Sequence, residues 1–363
     1  MSLILASCSI RKFVPEDKMI LKNNYVDIES DEVTFTKAEI SPYITQASNP
    51  KFLGIMPLTW VYYKTENKPN KKIINWINET VGKKPVYYNK EQKDNSIIQI
   101  EKYLNDIGYF NSGVTTEVYD NKGIGHVTYI IKPSNPYIVD EISYSISDTV
   151  LMRYIKDVES ELPVQKGNIY NAFDLDEERE MITEYLKNNG YYFFTKDYIS
   201  MEIDTNFSAR KANINIRIDN AINPITQKPE NHKRYYINDI YIYPKGVVSN
   251  NAKADTVNYT FSLGKKLGDE TFNFVYDGNP RIRFKTFDNI IQINSKVPYS
   301  LKNVSQTYKA LNNLKIYNLN NIDFEPIKQD KDSVNLLNCN IITFACRRCQ
   351  TSISRRDCKC RTT

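Results

Sequence analysis

The sequence predicts an α+β protein built from tandem small modules of β-α-α-β-β order, and three observations carry that expectation. The first is an echo: Tyr88-Asn89, Tyr103-Leu104 and Gly108-Tyr109-Phe110 return as Tyr170-Asn171, Tyr185-Leu186 and Gly190-Tyr191-Tyr192, each landmark 82 residues further on. Independent drift would not hold three separations equal, so similar units follow one another in place of one enzyme core. A weaker third copy reads Tyr299, Tyr308, Leu311, Leu314 and Tyr317. The second observation is that apolar residues switch along each copy between spacings of two and of three to four, the periods of strand and helix. The third is composition: 27 Tyr and 15 Phe against 2 His in 363 residues favour strands and leave little imidazole for chemistry.

Residues 1–18 read as an attachment sequence and tether. Leu5-Ala6-Ser7-Cys8 has the form of a bacterial lipobox, in which a small residue precedes a cysteine that is diacylated on its thiol. The alternative is a buried or incidental cysteine. The polar, Pro-containing stretch 9–17 suits a tether, which favours lipidation at Cys8.

The first module spans 19–134. Residues 19–28 read as a strand and 36–46 as a short helix ending near Asn49-Pro50. An elaboration over 50–88 holds the run Trp60-Val61-Tyr62-Tyr63 and a helix with Ile73, Ile74, Ile77 and Val81 on one side, stopped by Gly82. Ile97, Ile100, Leu104 and Ile107 keep helical spacing. Val114, Thr116, Val118 and Val127, Tyr129, Ile131 then alternate on two strands joined by Asp120-Asn121-Lys122-Gly123.

The second module, 135–220, is the clearest. Ile138, Ile142, Tyr144 and Ile146 alternate on a strand, and Leu151, Ile155, Val158 and Leu162 follow a helix that Pro163 stops. A second helix is expected from Asp174, where Glu177 three residues on completes a capping box; Leu175, Ile182 and Leu186 form its buried stripe and Asn189-Gly190 ends it. Ile199, Met201, Ile203 and Ile214, Ile216, Ile218 finish the sheet. The third module, 235–341, opens with a strand over 235–243 and is interrupted by a polar insertion, 244–283. Leu301, Val304, Tyr308 and Leu311 then predict its second helix, capped by Ser300, and 316–324 and 334–341 its last strands. Residues 342–363 are expected to be a disordered Cys/Arg-rich tail.

No residue pattern in the sequence points to a site of chemistry. Gly123-Ile124-Gly125 lies in a hairpin, whereas a dinucleotide site needs a strand, then glycines, then a helix. His126 and His232 have no paired nucleophile and read as structural, and the acids of 174–180 suit a helix N-terminal turn. Arg281-Ile282-Arg283 reads equally as a binding loop or a solvated edge. Cys346, Cys349, Cys358 and Cys360 could offer four thiolates, but the second pair is too tight for a zinc knuckle. No metal, cofactor or catalytic residue is therefore expected. The net charge of +5 resides in the last 23 residues, so the body is no basic surface for nucleic acid. No apolar run reaches the about 18 to 20 residues of a membrane-spanning helix.

The repeat with Gly-Tyr-Phe at the end of the second helix resembles the POTRA module of the BamA/TamA superfamily of outer-membrane assembly proteins. Cys8 before Phe13-Val14-Pro15-Glu16, then Lys196-Asp197-Tyr198-Ile199-Ser200, Ile240-Tyr241-Ile242-Tyr243-Pro244, Pro280-Arg281-Ile282-Arg283 and Leu336-Leu337-Asn338-Cys339-Asn340-Ile341 look like the TamA-like lipoproteins of Bacteroidetes. The resemblance spans 8–341. It implies a lipid-anchored protein on the periplasmic face of the outer membrane, non-enzymatic, with outer-membrane protein clients and a periplasm-spanning TamB-like partner. Relatives continue into a β-barrel that this chain lacks. The tail has the look of that gene read out of frame, since codons for Phe344-Ala345-Cys346 taken one base later can spell Ser-Pro-Ala. The functional expectation is a binding array that takes up extended segments by β-augmentation; the alternatives are a stand-alone lipoprotein scaffold and a zinc-binding tail protein.

Overall fold

The computed structural model describes residues 14–49, 51–52, 56–57, 85–206, 208–244, 255–262, 269–276, 283–314, 317–327 and 334–345. It is an α+β chain of three main sheets with no closed barrel among those residues. The described residues divide into two compact units: those of 1–142, 165–175 and 203–214, and those of 143–164, 176–202 and 215–363.

In the first sheet, β1 (Ile20–Ile28) pairs in parallel with β5 (Ile124–Lys132), which pairs antiparallel with β4 (Gly113–Asp120). Two short strands, β2 (Lys51–Phe52) and β3 (Met56–Pro57), pair with each other between them in sequence. The predicted helix over 36–46 is cut short. It forms only α1 (Lys37–Ile40), capped by the reciprocal Thr36–Glu39 box, and then a 3₁₀ turn at Ser41–Tyr43. Pro42 supplies no N–H to continue the α-helical ladder. Helix α2 (Lys90–Asp106) starts on Asn89, whose side chain accepts from the Gln92 N–H, and buries Ile100, Tyr103 and Leu104. These join Leu21, Val127, Tyr129 and Ile131 in one core. The aromatic run at 60–63 and the helix expected at 73–82 lie outside the described residues.

The second sheet has the order β6 (Ile138–Ile146), β8 (Lys211–Ile218), β7 (Ile199–Asn206). Helix α3 (Thr149–Val158) begins on Asp148, which accepts from the N–H groups of Val150 and Leu151. Helix α4 (Ala172–Asn188) begins earlier than Asp174, because Asn171 accepts from the Phe173 N–H. The capping box expected at Asp174 is thus replaced by an Asn cap three residues upstream. Leu151, Ile155, Ile182 and Leu186 are fully buried. A small hairpin, β9 (Ala221–Ile222) with β10 (Pro229–Glu230), follows.

The third sheet has five strands in the order β12 (Asp255–Ser262), β13 (Asp269–Tyr276), β11 (Tyr235–Tyr243), β15 (Asn335–Ala345), β14 (Tyr317–Pro326). Strand β11 runs parallel to both β13 and β15, and the two outer pairings are antiparallel. The insertion is therefore partly sheet: β12 and β13 form a hairpin, and Phe272 and Phe274 enter the core beside Ile240, Ile242 and Phe287. Helix α5 (Leu301–Asn313) is capped by Ser300 as expected, but Tyr308 is 43% exposed and Thr307 is buried in its place. Strand β15 carries on past the expected end at Ile341. Ile342 pairs with Tyr243 and Asn321, and Phe344 and Ala345 pair with Leu319 and Tyr317, so the tail begins no earlier than residue 346.

Candidate functional site

The echo in the sequence becomes a repeated piece of geometry. Gly108 and Gly190 end α2 and α4 at φ +87° and +100°, a region that only glycine enters without strain. The next N–H turns back in each case: Tyr109 donates to the Leu104 carbonyl at 2.8 Å and Tyr191 to the Leu186 carbonyl at 3.1 Å. The glycine carbonyls accept from the residue that opens the following strand, Tyr137 N–H to Gly108 at 2.9 Å and Tyr235 N–H to Gly190 at 2.8 Å. A cluster of rings closes each joint. Phe110 meets Tyr137 and Tyr170 at centroid distances of 4.8 and 5.5 Å, and Tyr192 meets Tyr235 and Tyr299 at 6.4 and 4.9 Å.

A second feature recurs three times. The segment entering each second helix lies along the first strand. Tyr88 N–H donates to the Met19 carbonyl at 2.8 Å, Tyr170 to Tyr137 at 2.8 Å, and Tyr299 to Tyr235 at 3.0 Å. Isolated bridges Ile20–Tyr87, Ile138–Ile169 and Tyr236–Pro298 mark the same contact. The start of every first strand is thereby covered on one side. The strand that follows the second helix, β4, β7 or β14, lies at one edge of its sheet, with β1, β6 or β12 at the other. These three strands carry no Lys or Arg, and their one Pro is the terminal Pro326. They therefore lack Lys and internal Pro as guards of the edge, though each carries two carboxylates, Glu117 and Asp120, Glu202 and Asp204, Asp323 and Glu325. On β4, Val118 and Tyr119 are exposed, Tyr119 by 54%.

A third recurrence is polar and buried. Seven residues after the caps Asn89, Asn171 and Ser300 stand Ser96, Glu178 and Thr307, all fully buried. Each accepts a loop N–H: Thr45 to Ser96 Oγ at 3.1 Å, Val164 to Glu178 Oε2 at 3.0 Å, and Gln292 to Thr307 Oγ1 at 2.9 Å. Apolar periodicity is blind to such positions. Burial, with a smaller push from Glu159, raises the Glu178 carboxyl to about 7 against the opposing Val164 hydrogen bond.

Neither histidine is poised for catalysis. The His232 Nε2 lies 2.9 Å from the Asp219 carbonyl and its ring packs on Phe194 and Tyr198. His126 lies on β5 between the rings of Tyr25 and Tyr119. A cleft of about 420 Å³ is walled by Phe193, Phe194, Tyr198 and Tyr235, and another of about 530 Å³ by Glu39, Tyr43, Tyr103 and Phe173. In the latter, burial holds the Tyr103 hydroxyl up at about 12, far from a general base at neutral pH. Cys339 is buried on β15, where desolvation pushes its thiol upward. Cys8, Cys346, Cys349, Cys358, Cys360, Arg281 and Ile282 lie outside the described residues. Gly123 sits in the β4–β5 hairpin turn at φ +79°, as expected for a turn glycine. Among the described residues no helix is long and apolar enough to cross a membrane.

Residues 154–221 match the POTRA family, described as a surface antigen variable number repeat. The POTRA match begins inside α3 and ends at β9, so it contains α4, its cap-proximal Glu178, Gly190 and the edge strand β7. Among solved structures, POTRA domains 3–5 of Haemophilus influenzae BamA align at 12% identity and TM-score 0.40, covering 91% of this chain and 99% of that one. POTRA domains 1–3 of Anabaena Omp85 align at 9% identity and TM-score 0.29, covering 91% and 98%. CdiB from Acinetobacter baumannii aligns at 11% identity and TM-score 0.23, covering 58% and 31%. Comparison with curated proteins gives no match.

Proposed function

We propose that this chain is the periplasmic POTRA region of an outer-membrane protein assembly or translocation factor of the TamA-like lipoprotein kind, and that it has no enzymatic activity. Three modules, 19–134, 135–220 and 235–341 with the insertion 244–283, stand in series and present the outer edges of β4, β7 and β14. An extended client or partner segment adds to such an edge as a further strand. The edge supplies N–H and C=O groups whatever the guest's side chains, which suits a protein that handles many clients. Cys8 anchors the array by lipid to the periplasmic face of the outer membrane, and a TamB-like partner continues across the periplasm.

The observation that carries the reading is the repeated place of the strand after the second helix. In each of the three sheets that strand lies at an edge and carries no Lys or Arg, while the segment before the helix bridges the start of the first strand. The POTRA match over 154–221 supports it independently.

Neighbouring proline substitutions test it. On an edge strand, alternate N–H groups face the sheet and the solvent. Of Thr115→Pro and Thr116→Pro on β4, one removes an N–H bonded to β5 and destabilises the fold, and the other removes an outward N–H. The outward variant should keep its stability and lose affinity for an unfolded segment of a β-barrel protein. Unchanged affinity in that variant, and in matched pairs on β7 and β14, would reject strand addition.

A further inference from the structure

The position seven residues into the second helix is filled by neutral hydroxyls in two copies and by a carboxyl in the middle one. Ser96 accepts from the Thr45 N–H and donates to the Gln92 carbonyl at 2.8 Å, and Thr307 accepts from the Gln292 N–H and donates to the Asn303 carbonyl at 2.8 Å. Both hydroxyls are satisfied without charge. Glu178 is buried to 0% exposure, and its Oε2 holds the Val164 N–H while its Oε1 has no hydrogen-bond partner. Around it stand Glu159, from the 3₁₀ turn after α3, and the Tyr144 hydroxyl, from β6. The loop that it clips donates the Val164 N–H. Arg179, next on α4, donates from its two terminal nitrogens to Asp176 and the Lys196 carbonyl, and its buried Nε has no hydrogen-bond partner. A bare carboxylate oxygen in a dry site beside another acid is costly, whereas a carboxyl proton on Oε1 removes the charge.

We infer that Glu178 makes the middle module a proton-responsive element: the neutral carboxyl clips the Pro163-Val164 loop to α4, and ionisation admits water and loosens that loop. The direction follows from linkage. A carboxyl raised from its ordinary 4.5 to about 7 stabilises the fold fully below the lower value and loses that contribution as pH rises through the upper one. At Ser96 and Thr307 the same position holds a hydroxyl, which has no carboxyl proton to lose.

The test uses the full chain with ¹³C-labelled glutamate carboxyls. One carboxyl resonance should titrate at about 7, and amide exchange corrected for intrinsic pH effects should speed up at Val164 over the same range. Glu178→Gln should remove that resonance, and its thermal midpoint should exceed the parent's at about pH 8.5 but not at about pH 5. If every glutamate titrates in the ordinary range, or the parent and Glu178→Gln share one pH slope, the inference fails. Should the Gln variant not fold, the labelled parent chain alone decides, since the titrating resonance and the Val164 exchange are read on it.

Discussion

Replacing Gly108 by alanine probes the joint most sharply, because the structure supplies its own control. Gly108 and Gly167 have nearly the same backbone, φ +87° and +91°. Putting alanine in the left-handed region costs about 1–2 kcal/mol at either. Around Gly167 a new Cβ meets nothing within 4 Å, so the backbone term is the whole effect. At Gly108 the new Cβ runs into the carbonyl oxygen of Tyr170 and lies 3.2 Å from Ile169 Cγ2. The obstacle is backbone, so relief requires the 169–170 segment to move. That movement disturbs the Tyr170 N–H bond to Tyr137 and the Tyr137 N–H bond to Gly108 itself. Overpacking of this kind costs about 1–3 kcal/mol, and a strained hydrogen bond about 0.5–1.5 kcal/mol. The expected losses are therefore about 1–2 kcal/mol for Gly167→Ala and about 3–5 kcal/mol for Gly108→Ala. Gly190→Ala should fall between them, since its closest obstacle at 2.7 Å is the Arg234 Cγ, a side-chain atom that can swing away. Urea unfolding followed by far-UV circular dichroism measures all three, and amide exchange at Tyr137 and Tyr170 localises the damage. If Gly108→Ala costs no more than Gly167→Ala, the glycine is a helix stop and the joint does not depend on it.

Two further expectations can be checked directly. Ile182→Ala and Leu186→Ala each remove a fully buried side chain from α4 and should cost about 2–5 kcal/mol in the same assay; a loss below about 1 kcal/mol at both would place them outside a packed core. With a signal sequence supplied, Cys8→Ala should move the protein from the membrane to the soluble fraction and abolish incorporation of labelled fatty acid, and equal labelling of the variant would dismiss the lipobox.

Much of this architecture is legible in the sequence because the repeat and the periodicities report apolar burial. The echo of Tyr-Asn, Tyr-Leu and Gly-aromatic marks the Asn caps, the buried Leu104 and Leu186, and the glycines at positive φ. What escaped is of a different physical kind. Glu178 reads as one acid among several near a helix start, since its burial depends on a loop 14 residues away in the chain that supplies the Val164 N–H. Tyr308 has helical spacing but yields to Thr307, whose hydroxyl satisfies Gln292 and its own helix. The β12–β13 hairpin hides in a polar insertion because Asn258, Asn273 and Thr271 dilute its composition. The alternation of Phe272 and Phe274 was the available signal. The extension of β15 to Ala345 could not be read locally, because pairing with β14 and β11 sets it.

The most direct test of the array reading is backbone amide exchange on the full chain with and without an unfolded segment from an outer-membrane β-barrel protein. New protection should fall on alternate residues of β4, β7 or β14, with the helices and the bridged starts of β1, β6 and β11 unchanged. Protection confined to helix faces or to the aromatic clefts, with the three edges exchanging as before, would contradict it.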